Sequence, residues 1–377
     1  MYLTKEEEKL LNSDNETISK SMEILLALGR IYQAEKLIQI SSAHISGISY
    51  QNIGETGLEW LESLNAKVVV KTTVNPAGMD LMRWKEMRIN KEFYTKQMKI
   101  IRALEKIGAE ISLTCTPYYL HKIRFGMHIA WAESSAIIYA NSIVGARTNR
   151  ESGISAIASA IIGKTPYYGL HIGENRAPNI LIKVKDVNPS ALGFYLGNIL
   201  KFDQIPIFRF KRRLSDDELK LLGAGLAATG NTAIFHVENQ TPEWNDFEMP
   251  KEKIEIDRVE IEYRCEPDLI VLGCPHLSKE ELVQVLGLLQ KENKKVKRDL
   301  WLFTSREVAN KNKELIEKIE SFNAKVFCDT CMVVSPVTEE YECIMVNSGK
   351  ALTYLPKLRG VNVSFGNLEE CVKAAFQ

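Results

Sequence analysis

The sequence predicts an α/β protein built from parallel-sheet domains around a central cleft. Residues 268–346 alternate strand and helix repeatedly, and residues 178–240 do so again. Composition is the third observation: 377 residues, 45% hydrophobic and 25% charged, are enough for two or three domains with buried cores. The expected divisions are 1–175, 176–245 and 255–377. The charged, proline-bearing stretch "NQTPEWNDFEMPKEK" marks the second junction.

The elements follow from their residues in order. Apolar positions at helical spacing fill "ISKSMEILLALGRIYQAEKLI", and the polar, glycine-rich "SSAHISGISYQNIGETG" breaks that pattern into a loop. The β-branched run in "AKVVVKTTVNPAGMD" predicts a buried strand that ends at Asn75, Pro76 and Gly78. A helix over 90–107 follows, and "AEISLTCTPYYL" then predicts a strand with Cys115 at its carboxyl end. The segment "GMHIAWAESSAIIYANSIVGARTNRESG" predicts a helix running out into a polar loop with Asn141, Ser142, Arg147, Asn149 and Arg150.

From 178 to 240 the order is strand "NILIKVKD", helix "SALGFYLGNIL", strand "IPIFRF", helix "DDELKLLGAGLAA" and strand "TAIFHVE". Beyond the linker, "DLIVLGCPH" is a strand and "SKEELVQVLGLLQ" a helix opened by the Ser278-x-x-Glu281 capping box. Strand "RDLWLFTS", helix "REVANKNKELIEKIESF" and strands "AKVFCDTC" and "CIMVNSG" complete the set. Such an alternation gives a parallel sheet with right-handed crossovers.

Charge excludes several partners. The 48 basic and 48 acidic residues cancel, so no overall field draws the chain to nucleic acid or to an anionic membrane. The amino terminus has no basic flank followed by an apolar stretch, and no run of about 18 apolar residues occurs. A cytoplasmic protein is expected.

Seven cysteines are an odd number, which argues against a disulfide framework and for thiols that are buried, metal-binding or reactive. Cys265, Cys343 and Cys371 read as small buried hydrophobes. Cys115, Cys274 and Cys331 differ, because each stands in a turn among Pro or hydroxyl neighbours: "TCTP", "GCPH" and "DTC". Ligands of parallel sheets bind outside the carboxyl ends of strands, where all three are expected. The pair Cys328 and Cys331 is the one Cys-x-x-Cys in the chain, so a zinc site made from two such hairpins fails. A thioredoxin-like dithiol would open a helix, whereas "CDTCMVVSP" continues with β-branched residues. A cluster held by three single cysteines remains. It would leave one iron open as a Lewis acid for a substrate hydroxyl or carboxylate, which is dehydratase chemistry.

Two other motifs lack their context. "GAGLAA" imitates a dinucleotide fingerprint but ends a helix, so it is helix packing. "IIGKTP" would need glycine at the position of Ala158 to be a phosphate loop. His121 and His128 read as structural histidines, while His44 and His276 are candidates to touch a ligand.

Eight motifs together resemble the aconitase X family: "SSAHISGISYQNIGE", "TTVNPAGMD", "TCTPYY", "NSIVGARTNRE", "ATGNTAIFHVENQTPE", "LGCPH", "CDTC" and "NSGKALTYLP". The resemblance runs from about residue 2 to the end. It implies an aconitase-like fold and an iron-sulfur hydro-lyase that removes water from (R)-5-phosphomevalonate to give trans-anhydromevalonate 5-phosphate. It implies a 4Fe-4S cluster, or 3Fe-4S where the open iron is lost, on Cys115, Cys274 and Cys331, with Cys328 outside the set. Substrate contacts would come from Gly47, Ile48, Ser49, Asn75, Pro76, Asn141, Ser142 and Lys350. Lys350 and Ser49 are the catalytic candidates, and Arg147 and Arg150 are further anion-binding candidates.

Glycine lets backbone amides approach oxyanions, Asn and Ser supply neutral hydrogen bonds, and a lysine supplies charge for a phosphate or carboxylate. The matched loops show no evident carboxylate–histidine pair to act as base, and the chain ends at "SFGNLEECVKAAFQ" with no length for a fused swivelling domain. The resemblance therefore implies a separate small subunit of roughly 130 residues that carries that domain and a catalytic serine, as a heterodimer. The alternatives are a hydroxyproline dehydratase of the same family and a non-enzymatic iron-sulfur redox protein.

Overall fold

A computed structural model describes residues 1–261 and 265–377. Among the described residues, a five-stranded parallel sheet dominates the C-terminal part, in the order Lys325–Phe327, Asp299–Thr304, Leu269–Leu277, Cys343–Val346, Asn362–Phe365. A four-stranded parallel sheet runs His236–Val237, Pro206–Phe210, Ile180–Val184, Lys253–Ile256. A three-stranded parallel sheet sets Ser42–Ile45 between Lys71–Val74 and Ala130–Trp131. One small antiparallel pair joins Leu37–Gln39 to Lys164–Pro166. The fold is mixed α/β, with helices packed on parallel sheets.

The largest sheet shows why its strands read as continuous apolar runs. Leu269 and Val271 face a core that includes Trp301, Phe303, Phe327, Met79 and Phe93. Ile270 and Leu272 face the opposite core, with Leu282, Val285, Leu289 and Ile319 of the covering helices. Strand side chains alternate between faces, so a strand buried on both has no polar position to spare. Met79, Met87 and Phe93 belong to the N-terminal region, so this region packs directly on the C-terminal sheet.

The helix starts are chemically explicit. Ser215 and Glu218 form a capping box, as do Ser278 and Glu281, each saving two amide protons that would otherwise lack partners. "GAGLAA" lies in the helix Asp216–Thr229, where Gly225 packs on the backbone of Gly193 and Phe194.

Several expected elements are corrected. Residues 111–116 join no ladder. The bridge from Glu110 to Thr73, Ser112 Oγ on the Val74 carbonyl (2.9 Å), the amide of Thr114 on the same carbonyl (3.1 Å) and the bonds of Thr114 and Cys115 to His276 tie that segment down, so Cys115 lies in irregular chain instead of at a strand end. Leu113 has φ +45°, which turns the segment away from the sheet. Cys274 lies inside Leu269–Leu277, but the register shifts between Leu272 and Leu277, so the regular pairing stops just before it. Ser42–Ile45 and the helix Tyr50–Ser63 occupy the supposed glycine-rich loop. The single helix expected after residue 126 is instead the strand Ala130–Trp131, a short helix Ser134–Tyr139 and a π-helical turn Ala140–Val144. Cys265 and Cys343 are joined as a disulfide, against the reading of both as free hydrophobes. The pair is invisible to parity arguments because 78 residues separate partners that the sheet brings together, with the amide of Asp268 on the Cys343 carbonyl at 3.0 Å.

Candidate active site

Three buried thiols share one electrostatic environment. Cys115, Cys274 and Cys331 are all at most 7% exposed. Burial pushes the Cys115 thiol up to about 12, and it pushes Cys274 and Cys331 upward too. Lys350 opposes this at all three, and Cys331 and Cys115 both act on Cys274. The backbone of His276, two residues past Cys274, donates to Cys115 Sγ at 3.3 Å, and its ring meets the carbonyl of Thr330, next to Cys331, at 2.8 Å, so the three segments meet. Cys328 is not of this group: its charged neighbours are Arg306, Asp329, Asp80 and Arg83, and its amide donates to Asp80 Oδ2 at 2.8 Å. Asp329 at φ +64° reverses the chain between the two halves of the Cys-x-x-Cys pair.

Among the described residues, no three His, Cys, Asp or Glu side chains close around a single metal ion. A cluster asks for something else, one thiolate on each of several irons. Three buried thiols that carry no charge-neutralising partner except Lys350 suit that demand, because a thiolate buried among apolar groups is costly until a metal binds it.

Beside the thiols lies a polar chain that sequence reasoning missed. Glu133 caps the helix Ser134–Tyr139, accepting from the Ser135 amide at 3.2 Å, and is nearly fully buried. Lys350 Nζ makes an ion pair with Glu133 Oε1 and a 3.1 Å hydrogen bond to Ser135 Oγ. On the other oxygen, Asn75 Nδ2 donates to Glu133 Oε2 at 2.7 Å. Asn75 Oδ1 accepts from His44 Nε2 at 3.2 Å, and His44 Nδ1 accepts from Thr73 Oγ1 at 2.7 Å. Burial works against ionisation of Glu133, yet Lys350, with Asn75 and Ser135, holds its carboxyl at about 2. Burial lowers His44 to about 4, so its ring is neutral near pH 7.

Lys350 itself stands in the first turn of Gly349–Arg359, where the helix dipole disfavours a cation. Glu133 offsets that cost. The one signal for Glu133 in the sequence is an acidic residue just ahead of the apolar run "SSAII".

The remaining expected residues fall around this chain. Ser49 Oγ donates to the Val334 carbonyl at 2.9 Å, tying the first loop to the segment after Cys331. Gly47 has φ +72°, with open space where a side chain would point. Ile48 is buried, and its carbonyl accepts from Gln97 Nε2 at 2.9 Å. Pro76 is buried next to Asn75, whose amide donates to the Ile45 carbonyl at 2.8 Å.

Asn141 and Ser142 sit in the π-helical turn, outside the hydrogen-bonded chain of Glu133 and Lys350. The Asn141 amide is fully engaged, by Thr148, Ala233 and Arg176, and Ser142 Oγ accepts from the Phe235 amide. Arg147 donates to the His171 carbonyl, and Arg150 to the Ala227 carbonyl and Asn231. His121 lies against Glu110 and is near enough to act on His44, while His128 Nδ1 meets His171 Nδ1 at 3.0 Å.

Family models match the whole chain: aconitase X first domain over residues 1–174, second domain over 178–266 and third domain over 267–377. The chain belongs to the aconitase X family. The phosphomevalonate dehydratase large subunit of Methanosarcina mazei is 48% identical, with 100% of this chain and 97% of that one covered. That of Methanocaldococcus jannaschii is 45% identical, with 99% and 100% covered. The cis-3-hydroxy-L-proline dehydratase of Pseudomonas aeruginosa is 33% identical over 97% of this chain, which spans 68% of that protein. The crystal structure of Thermococcus kodakaraensis aconitase X in its holo-form superposes with a TM-score of 0.91 at 40% identity, over the full length of both chains. No described helix is long and apolar enough to cross a membrane.

Proposed function

We propose that this chain is the large subunit of a hydro-lyase that dehydrates (R)-5-phosphomevalonate to trans-anhydromevalonate 5-phosphate. The observation that carries the substrate choice is identity. The chain is 48% identical to the Methanosarcina mazei large subunit but 33% identical to the hydroxyproline dehydratase. The reaction class is supported by Lys350, whose charge reaches all three buried thiols.

Cys115, Cys274 and Cys331 would hold an iron-sulfur cluster, of the 4Fe-4S type in this reading, which would supply a Lewis acid for the leaving hydroxyl. The chain's own residues do the rest. Lys350 offers a fixed positive charge to an anionic group of the substrate, and Glu133 holds that ammonium in place while screening part of its charge. Gly47 leaves open space where a side chain would point, and Ile48 and Ser49 follow it in the same loop. Asn75 couples Glu133 to the neutral His44.

The proton removed from the substrate needs another acceptor. A carboxylate held near 2 by Lys350 is a weak base at neutral pH, and both ring nitrogens of His44 are engaged, as are both of His276. With Glu133, His44 and His276 so engaged, the reading we favour is a small subunit that brings a catalytic serine on a swivelling domain. "Large subunit" in the names of the relatives points the same way.

The test is an anaerobic assay of the reconstituted chain with and without a candidate small subunit, on 5-phosphomevalonate and on cis-3-hydroxy-L-proline. Turnover of the first substrate only with the partner present is expected. Turnover of hydroxyproline would move the chain to the other activity of its family.

A further inference from the structure

We infer that His276 is the positioning residue that locks the three cysteine-bearing segments into one arrangement. This rests on the reading that Cys115, Cys274 and Cys331 hold an iron-sulfur cluster. His276 is two residues beyond Cys274 on the same strand. Its backbone amide donates to Cys115 Sγ at 3.3 Å. Its ring Nδ1 meets Thr114 Oγ1, next to Cys115, at 2.9 Å. Its ring Nε2 meets the carbonyl of Thr330, next to Cys331, at 2.8 Å. A carbonyl can only accept, so the proton is on Nε2 and Nδ1 accepts from the threonine hydroxyl. One fully buried side chain thus bonds to both other cysteine segments while its own backbone carries the third.

The need for such a tie follows from where the segments come from. The Cys115 segment joins no sheet, and the Cys331 segment is loop beyond Lys325–Phe327. Neither is held by a ladder at the cysteine, although an isolated bridge joins Thr330 to Ala77, with the Ala77 amide on the Asp329 carbonyl at 2.8 Å. Thr114 extends the tie, since its hydroxyl also accepts from the Thr116 amide at 3.2 Å and lies 3.0 Å from Thr116 Oγ1, which pins both sides of Cys115. Groups that orient metal-bearing ligands commonly change metal affinity roughly ten- to hundredfold when removed.

The test uses the purified chain, loaded anaerobically with iron and sulfide, in wild-type, His276→Gln, His276→Leu and Thr114→Val forms. Iron loss to a chelator, the visible absorption of the loaded protein and thermal melting of the unloaded protein are measured. Iron loss should quicken about tenfold or more in His276→Leu. The Gln variant, which keeps a donor toward Thr330, should fall between it and the wild type. The visible band should change in His276→Leu even where unloaded melting is preserved. Equal rates and spectra in all four forms overturn the role. Should His276→Leu fail to fold, Thr114→Val decides, because it cuts the tie from the other end at a smaller side chain. A wild-type chain that takes up neither iron nor sulfide would instead overturn the cluster reading beneath it.

Discussion

Glu133 and Lys350 form a buried ion pair across 217 residues of chain, joining the cap of a short N-terminal helix to the first turn of a C-terminal one. The pair explains how a lysine persists as a cation among three thiols and against a helix dipole. Burial disfavours its charge, but Glu133 together with Cys274, Cys115 and Tyr354 more than restores it.

Breaking this pair from one side should be worse than removing it. Lys350→Met leaves a buried carboxylate unpaired, at a cost of about 3–5 kcal/mol of stability. Adding Glu133→Gln should return much of that loss, while substrate affinity stays reduced roughly ten- to hundredfold in both. Denaturant melts and saturation kinetics of the complex check this. Equal stability of the single and double variants would show that the pair is not coupled.

Single alanine replacements at Cys115, Cys274 or Cys331 should abolish the visible absorption of the reconstituted chain, and Cys328→Ala should spare it. The two thiols of the Cys-x-x-Cys pair answer to different charges, Arg306 and Asp329 for one and Lys350 for the other. Full iron content in Cys274→Ala protein would sink the assignment.

Acid should weaken the fold in a window that His44 helps to set. The unfolded chain takes a proton on this histidine near its ordinary 6.5, the folded chain only near 4. Between these values the unfolded state binds more protons, so stability is full above 6.5 and declines as pH falls toward 4, by about 3 kcal/mol for this residue. Glu133 acts with the same sign between its ordinary 4.5 and about 2. Melting of the wild type and of His44→Gln from pH 7.5 to 4 tests this. A variant with an undiminished pH slope would exclude His44 from the effect.

Gly225→Ala should destabilise in spite of the better helix propensity of alanine. A Cβ there would meet Phe194 N at 2.7 Å and Gly193 C at 2.8 Å, both backbone atoms that cannot rotate away. Overpacking of this kind costs about 1–3 kcal/mol, more than the propensity gain of about 1. A raised melting temperature would contradict the close helix contact.

What the sequence made legible was local. Leu269–Leu277, the capping box at Ser278 and the helix end at "GAGLAA" all depend on residues within a few positions of each other, so periodicity and cap chemistry reveal them. The segment "ISLTC" has the composition of a strand yet joins no ladder, because pairing needs a neighbour whose register the segment cannot specify. Glu133 escaped notice for a related reason: a glutamate ahead of a helix is ordinary until a distant lysine is found beside it. The Cys265–Cys343 pair was hidden in the same way, by partners far apart in the chain. The family motifs marked Asn75, Lys350 and the three cysteines, but a motif carries no record of which residues hold one another.

The division of the thiols between distant segments also sets a timetable. Cys115, Glu133 and Asn75 emerge early from the ribosome, and Cys274, Cys331 and Lys350 follow only after the whole of the middle sheet has been made. Domains fold as units from the N-terminal side during synthesis. Until Lys350 is out, the early thiol of Cys115 and the carboxylate of Glu133 lack the ammonium that acts on both in the finished chain. Under the proposed cluster assignment, loading waits for a finished chain.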